Sequence, residues 1–193
     1  ALLLIAPYYN KANTEGMYRH FKETADKVDI PCLLYNVPGR TGCSIPVSVV
    51  EKLAKHPKIV GIKEASGDIS RVGRIIAVCG GELPVYSGND DQTVAVMALG
   101  GLGVISVVSN VVPGAMKALV GAAQAGDFEL AAALQRRLLP LMDAMFCQVN
   151  PIPVKAAMKW IGFDCGECRR PFLPLSEEEK RMVYACAVEN HLI

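Results

Sequence analysis

Five short runs of β-type residues, each followed by apolar residues at helical spacing, limit this chain more than any other feature. The runs are Leu2–Ala6, Cys32–Asn36, Ile59–Lys63, Leu83–Ser87 and Gly103–Val108. Between them Met17, Phe21, Ala25 and Val28 follow Asn13-Thr14, a helix N-cap signature; Val47, Val50 and Leu53 mark a second helix, Ile69, Val72, Ile76 and Cys79 a third, and Val94, Met97 and Ala98 a fourth. Mid-strand positions recur every roughly 20–30 residues, the length of a βα unit, so the strands are expected to lie parallel and be joined by helices. Beyond the fifth run the pattern is purely helical: Ala115–Ala125, Phe128–Phe146 with Pro140 as a kink, Ile152–Ile161, and a last helix opened by a Ser176/Glu179 capping box. No linker rich in Gly, Ser or Pro divides the chain.

That unit order suits either a doubly wound sheet or a (β/α)8 barrel. A nucleotide-binding first turn needs its glycines between strand and helix, whereas Gly100-Gly101-Leu102-Gly103 precedes a strand and does not read GxGxxG. In a barrel, polar chemistry gathers at the C-terminal ends of the strands. It does so here, in Tyr8-Tyr9-Asn10, Tyr35-Asn36, Lys63-Glu64, Ser87-Gly88-Asn89 and Ser106. A full barrel takes about 250 residues, but this chain has 193, starts without Met and is already strand-like at Leu2. The expectation is therefore a partial, N-terminally truncated barrel, with five βα units over residues 1–125 and a C-terminal helical extension over 126–193.

Charge and cysteine usage narrow the class of function. With 20 Lys+Arg against 19 Asp+Glu the net charge is +1, and no block of like charge occurs, which argues against nucleic acid or an anionic membrane as the main partner. No apolar run reaches the roughly 18 residues of a membrane helix, and Ala1–Pro7 lacks the basic flank of a signal peptide. Seven cysteines, an odd number set among apolar neighbours, suit reduced thiols in the cytoplasm. Cys165-Gly-Glu-Cys168 has the spacing of a zinc or redox pair, but no second pair completes four ligands, so no metal is expected. His20, His56 and His191 read as isolated, solvated residues.

The chemistry centres on a lysine that ends a buried strand. Alternation along Ile59-Val60-Gly61-Ile62-Lys63-Glu64 sets Ile59, Gly61 and Lys63 on one face, with Gly61 leaving room beneath the amine. Desolvation there favours the neutral amine, which can attack a ketone to form a Schiff base and then an enamine; alternatively, Lys63 pairs with a carboxylate at the strand end. Leu33 and Tyr35 share a face of the preceding strand, so the Tyr35 hydroxyl can face Lys63 and relay protons, unless it is a satisfied core tyrosine. Arg40, on the Gly/Pro-shaped loop just beyond, can grip a substrate carboxylate or simply be solvated. Of Tyr8 and Tyr9 only one can face the same pocket, since consecutive residues point opposite ways.

The motifs PYYN (7–10), YNVPGRTG (35–42), GIKEASG (61–67), SGND (87–90), GVISV (103–107) and NPIPVK (150–155) together resemble the dihydrodipicolinate synthase (4-hydroxy-tetrahydrodipicolinate synthase) family of pyruvate-dependent lyases. The resemblance runs in order along essentially the whole chain. It implies a cytoplasmic enzyme of lysine and diaminopimelate synthesis that condenses pyruvate with aspartate semialdehyde, on a barrel with a helical extension, without an organic cofactor, as a homodimer or homotetramer. It further implies that Lys63 carries the pyruvate imine, that Tyr35 relays protons, that Tyr9 reaches a neighbouring subunit's site and that Arg40 orients the semialdehyde carboxylate. Ile105 is implied to be a backbone contact to pyruvate, with Gly88 a further substrate-binding position and Tyr8 the remnant of a lysine-inhibitor site. By family order the five strands would be the fourth to eighth. The Thr-Thr pair that holds the pyruvate carboxylate has no counterpart here. Two alternatives stand beside this reading: a sister pyruvate aldolase, such as N-acetylneuraminate lyase or a keto-sugar-acid aldolase, and an inactive fragment of the synthase.

Overall fold

The computed structural model describes residues 1–190; His191 lies outside the described residues. The chain divides into two compact units, Ala1–Ile105 and Ser106–Ile193.

In the first unit β1 (Leu2–Ile5), β2 (Cys32–Asn36), β3 (Ile59–Glu64), β4 (Val85–Ser87) and β5 (Gly103–Val104) form one all-parallel sheet in the order of the sequence. The connecting helices are α1 (Thr14–Lys27), the single turn α2 (Pro38–Thr41), α3 (Val47–Ala54), α4 (Ile69–Cys79) and α5 (Thr93–Ala98). Sequential neighbours at this spacing are what βα units produce. Local signals set the helix ends: Asn13 caps α1 by accepting from the Gly16 N–H at 2.9 Å, and Asp68 caps α4 by accepting from the Arg71 N–H at 3.0 Å.

One face of the sheet is covered by helices. Cys32, Leu34, Ile62 and Val85 point into a core with Met17, Phe21 and Ala25 of α1, Val49, Val50 and Leu53 of α3, and Val72 and Ile75 of α4. On the opposite face Leu3 and Ile5 remain 46% and 37% exposed.

Three expected details change. The β2–β3 register slips between Cys32 and Leu33, so Cys32 pairs with Ile59 but Leu33 with Gly61. This bulge turns Ile59 into the helix-covered core, away from the face of Gly61 and Lys63, as one extra residue reverses alternation. β4 begins at Val85 rather than Leu83, since Pro84 has no N–H for the ladder, although its carbonyl accepts from the Ile62 N–H at 2.9 Å. β5 ends at Val104 rather than Val108, because Ser106 competes locally: its hydroxyl oxygen accepts from the Ser109 N–H at 2.7 Å, and Val108–Asn110 forms a 3-10 turn.

The second unit holds α6 (Pro113–Gln124), α7 (Phe128–Ala144), α8 (Ile152–Trp160) and α9 (Glu177–Glu189). α6 packs on α7, and α9 packs on α7 and α8. α7 continues through Pro140. The Ser176/Glu179 capping box is present, with both reciprocal hydrogen bonds made. Among the described residues no helix is long and apolar enough to cross a membrane.

Candidate active site

Two successive rows of residues cross the C-terminal ends of the strands. The first is Ile5, Tyr35, Lys63, Tyr86 and Gly103, each in register with the next, on the face the helices leave open. The second is Asn36, Glu64, Ser87 and Val104, one position further along and on the helix-covered face. The parallel ladder thus brings Lys63 beside Tyr35, with its Nζ 4.6 Å from the centre of the Tyr35 ring.

Burial is the main influence on both groups. It lowers the pKa of the Lys63 amine below its ordinary 10.5, with the nearby Asp90 carboxylate opposing this and Arg40 adding to it. It raises the pKa of the Tyr35 phenol above 10.0, with Arg40 opposing. The amine is thereby shifted toward the neutral nucleophile and the phenol kept in its protonated, donating form. Arg40, exposed on α2, is within electrostatic reach of both groups. The segment expected to be a loop is in fact a helical turn: Pro38 starts it with φ already suited to a helix, and Gly42 ends it in the left-handed region at φ 62°.

Glycine has a different use here from the one expected. The space at Gly61 is not empty: a Cβ there would meet the Pro84 carbonyl oxygen at 3.1 Å and the Tyr86 ring at 3.4 Å. The demanding position is Gly88, where a Cβ would stand 2.5 Å from the Ala65 Cβ and 3.1 Å from the Lys63 Cε. Gly88 also donates its N–H to the Glu64 carbonyl at 2.7 Å. It is the residue that lets the chain pass against the lysine stem.

The other anticipated residues fall as follows. Ile105 donates its N–H to the Ser87 carbonyl at 2.9 Å, so that N–H is committed to the ladder. Tyr8 and Tyr9 both lie on the surface, Tyr9 at 88% exposure. Cys165 is exposed and Cys168 half-buried, both as free thiols. His56, expected to be isolated, instead bridges elements: its Nε2 lies 3.0 Å from Asp26 Oδ1, and its Nδ1 accepts from the Lys58 N–H at 3.2 Å. Nothing in the spacing marks Tyr86 or the buried Asp90 as neighbours of Lys63. A polar residue just after each strand end was the available signal for Asp90.

The chain is similar to known proteins over almost its whole length. Residues 1–189 match the model of the dihydrodipicolinate synthetase family. The chain belongs to that family. A curated member, 4-hydroxy-tetrahydrodipicolinate synthase of Thermodesulfovibrio yellowstonii, is 49% identical over 180 residues, covering 93% of this chain and 62% of its own. Dihydrodipicolinate synthase from Thermotoga maritima, known from a crystal structure, aligns with a TM-score of 0.95 at 40% identity, over 99% of this chain and 66% of its own. The chloride-inhibited enzyme of Acinetobacter baumannii, crystallised with pyruvate, aligns at 0.94 and 41%, again over 99% and 66%. The chain thus spans about two thirds or less of the length of these family members, and its five strands are part of their barrel fold.

Proposed function

We propose that the chain carries the Schiff-base half of a 4-hydroxy-tetrahydrodipicolinate synthase, which condenses pyruvate with aspartate semialdehyde in lysine and diaminopimelate synthesis. The observation that carries this reading is the half-buried Lys63 amine set against Tyr35 in one register row, with Gly88 clearing its stem. The names of the curated relatives support the choice of substrates.

In this mechanism the neutral Lys63 Nζ adds to C2 of pyruvate, and the resulting carbinolamine loses water to give a protonated imine. Loss of a C3 proton gives an enamine, whose C3 attacks the aldehyde carbon while the aldehyde oxygen takes a proton. The substrate amine then displaces Lys63 from C2, closing the ring and restoring the enzyme amine. Tyr35 delivers and recovers these protons, and Arg40 binds the semialdehyde carboxylate. Gly88 and Ile105 line the pyruvate position, and Tyr8 stands near the inhibitor position. Tyr9 acts across a subunit boundary in a homodimer or dimer of dimers, a role its exposed position permits. The imine makes an organic cofactor or metal unnecessary, and the setting is cytoplasmic.

Borohydride reduction in the presence of pyruvate, followed by peptide mass mapping, tests the proposal. The expected result is one reduced adduct, on Lys63; an adduct elsewhere, or none at saturating pyruvate, refutes it. Sugar aldehydes offered against aspartate semialdehyde separate the synthase from a sister aldolase. The exposed Leu3 and Ile5 on the site's face, and the lack of a Thr-Thr pair, favour weak turnover by these 193 residues alone.

A further inference from the structure

Directly behind the Tyr35–Lys63 row lies a closed polar network that the mechanism does not use. The Glu64 side chain is 1% exposed and accepts four hydrogen bonds. Asn36 Nδ2 donates to its two oxygens at 2.9 and 3.0 Å, the Ser66 N–H donates to Oε1 at 2.8 Å, and Arg71 Nε donates to Oε2 at 3.0 Å. Both Asn36 and Arg71 then reach the same residue of the β2–α3 connection. Asn36 Oδ1 accepts from the Ile45 N–H at 2.9 Å, and an Arg71 Nη donates to the Ile45 carbonyl.

A buried ion pair is costly to desolvate and adds little stability over an apolar pair of the same volume, so its placement calls for a reason other than stability. The reason visible here is geometric. Asn36 follows Tyr35, Glu64 follows Lys63, and Ile45 closes the segment 37–45 that carries Arg40. One carboxylate therefore joins the ends of both site-bearing strands, the first turn of α4 and the Arg40 segment.

We infer that Glu64 is the positioning residue of this site: through Asn36 and Arg71 it clamps Ile45, and so holds Arg40 at a fixed place beside Lys63 and Tyr35. The inference deepens the reading of Lys63 as the reactive amine, but its test uses no substrate.

Arg71→Lys keeps the charge opposite Glu64 while removing the guanidinium that spans Glu64 and Ile45; Glu64→Gln keeps shape and removes the charge. In both variants the amides of segment 37–45 should exchange with deuterium about tenfold faster, as loss of one charged hydrogen bond requires, with core amides of α1 and α3 unchanged. Competitive acetylation with acetic anhydride, read by mass mapping across pH, then reports the titration of Lys63, which is set by burial and by Asp90 and Arg40. Because Arg40 lowers that midpoint, Arg71→Lys should raise it in the same direction as Arg40→Met, and the double variant should go no further. A Lys63 midpoint equal to wild type in Arg71→Lys, or additive shifts in the double variant, would overturn the inference even if segment 37–45 loosens. Global unfolding of Glu64→Gln leaves Arg71→Lys to decide. A wild-type chain that fails to trap pyruvate refutes the proposed function without affecting either measurement.

Discussion

The reactivity proposed for Lys63 follows from what surrounds it. Its native pKa lies below the ordinary 10.5 mainly because burial penalises the ammonium. Well below that native value both folded and unfolded states are protonated and folding bears the full cost of burying the charge. As pH rises toward 10.5 the native state releases its proton first, so stability increases, and above 10.5 the cost is gone. Lys63→Met should therefore abolish pyruvate trapping yet raise the melting temperature at neutral pH, by an amount that shrinks as pH approaches 10.5; calorimetry at several pH values checks it. Trapping by wild type should likewise rise with pH and reach half its maximum below 10.5. Gly88→Ala should cost about 1–3 kcal/mol by overpacking, since Ala65 and the lysine stem leave no space for a methyl group, and should slow trapping as well; denaturant titration and borohydride kinetics measure the two effects. The candidate nucleophile and its tyrosine could be read from alternation alone, whereas Gly88's steric role could not, because Ala65 and Lys63 belong to a different strand end.

Elements decide how firmly the residues are held. α4 starts at Asp68, whose carboxylate accepts from the N–H of Arg71, the same residue that bonds Glu64 and Ile45 through its guanidinium. Asp68→Ala should destabilise the first unit by about 1 kcal/mol, the usual worth of an N-cap, and should speed exchange at the start of α4. Urea unfolding followed by hydrogen exchange tests both. Capping signals were readable in the sequence at Asn13 and Ser176 because a cap acts within three residues. The β2–β3 bulge was not readable, since a register slip depends on two strands some 30 residues apart packing against common helices. Ile59 illustrates the result: strict alternation places it with Lys63, and pairing with Cys32 places it in the core.

At the scale of the molecule, β1 is an edge strand and its face toward the site carries Leu3 and Ile5 in the open. Unpaired edge groups beside exposed apolar side chains favour self-association. Light scattering of the 193-residue chain should show mass rising with concentration, and Leu3→Lys with Ile5→Lys should suppress it without lowering the melting temperature, since neither residue belongs to the helix-covered core. The periodicity of the chain was sufficient by itself to determine the parallel βα order and the helical character of the C-terminal part, and strand-end chemistry singled out Lys63, Tyr35 and Arg40 as candidates, because strand and helix periods and strand-end chemistry are local properties. Only the tertiary structure decided that Tyr86 fills the space beside Gly61, that Gly88 clears the lysine, and that Glu64 ties β2, β3, α4 and the Arg40 segment together. Those contacts join residues far apart in sequence, and packing rather than spacing selects them.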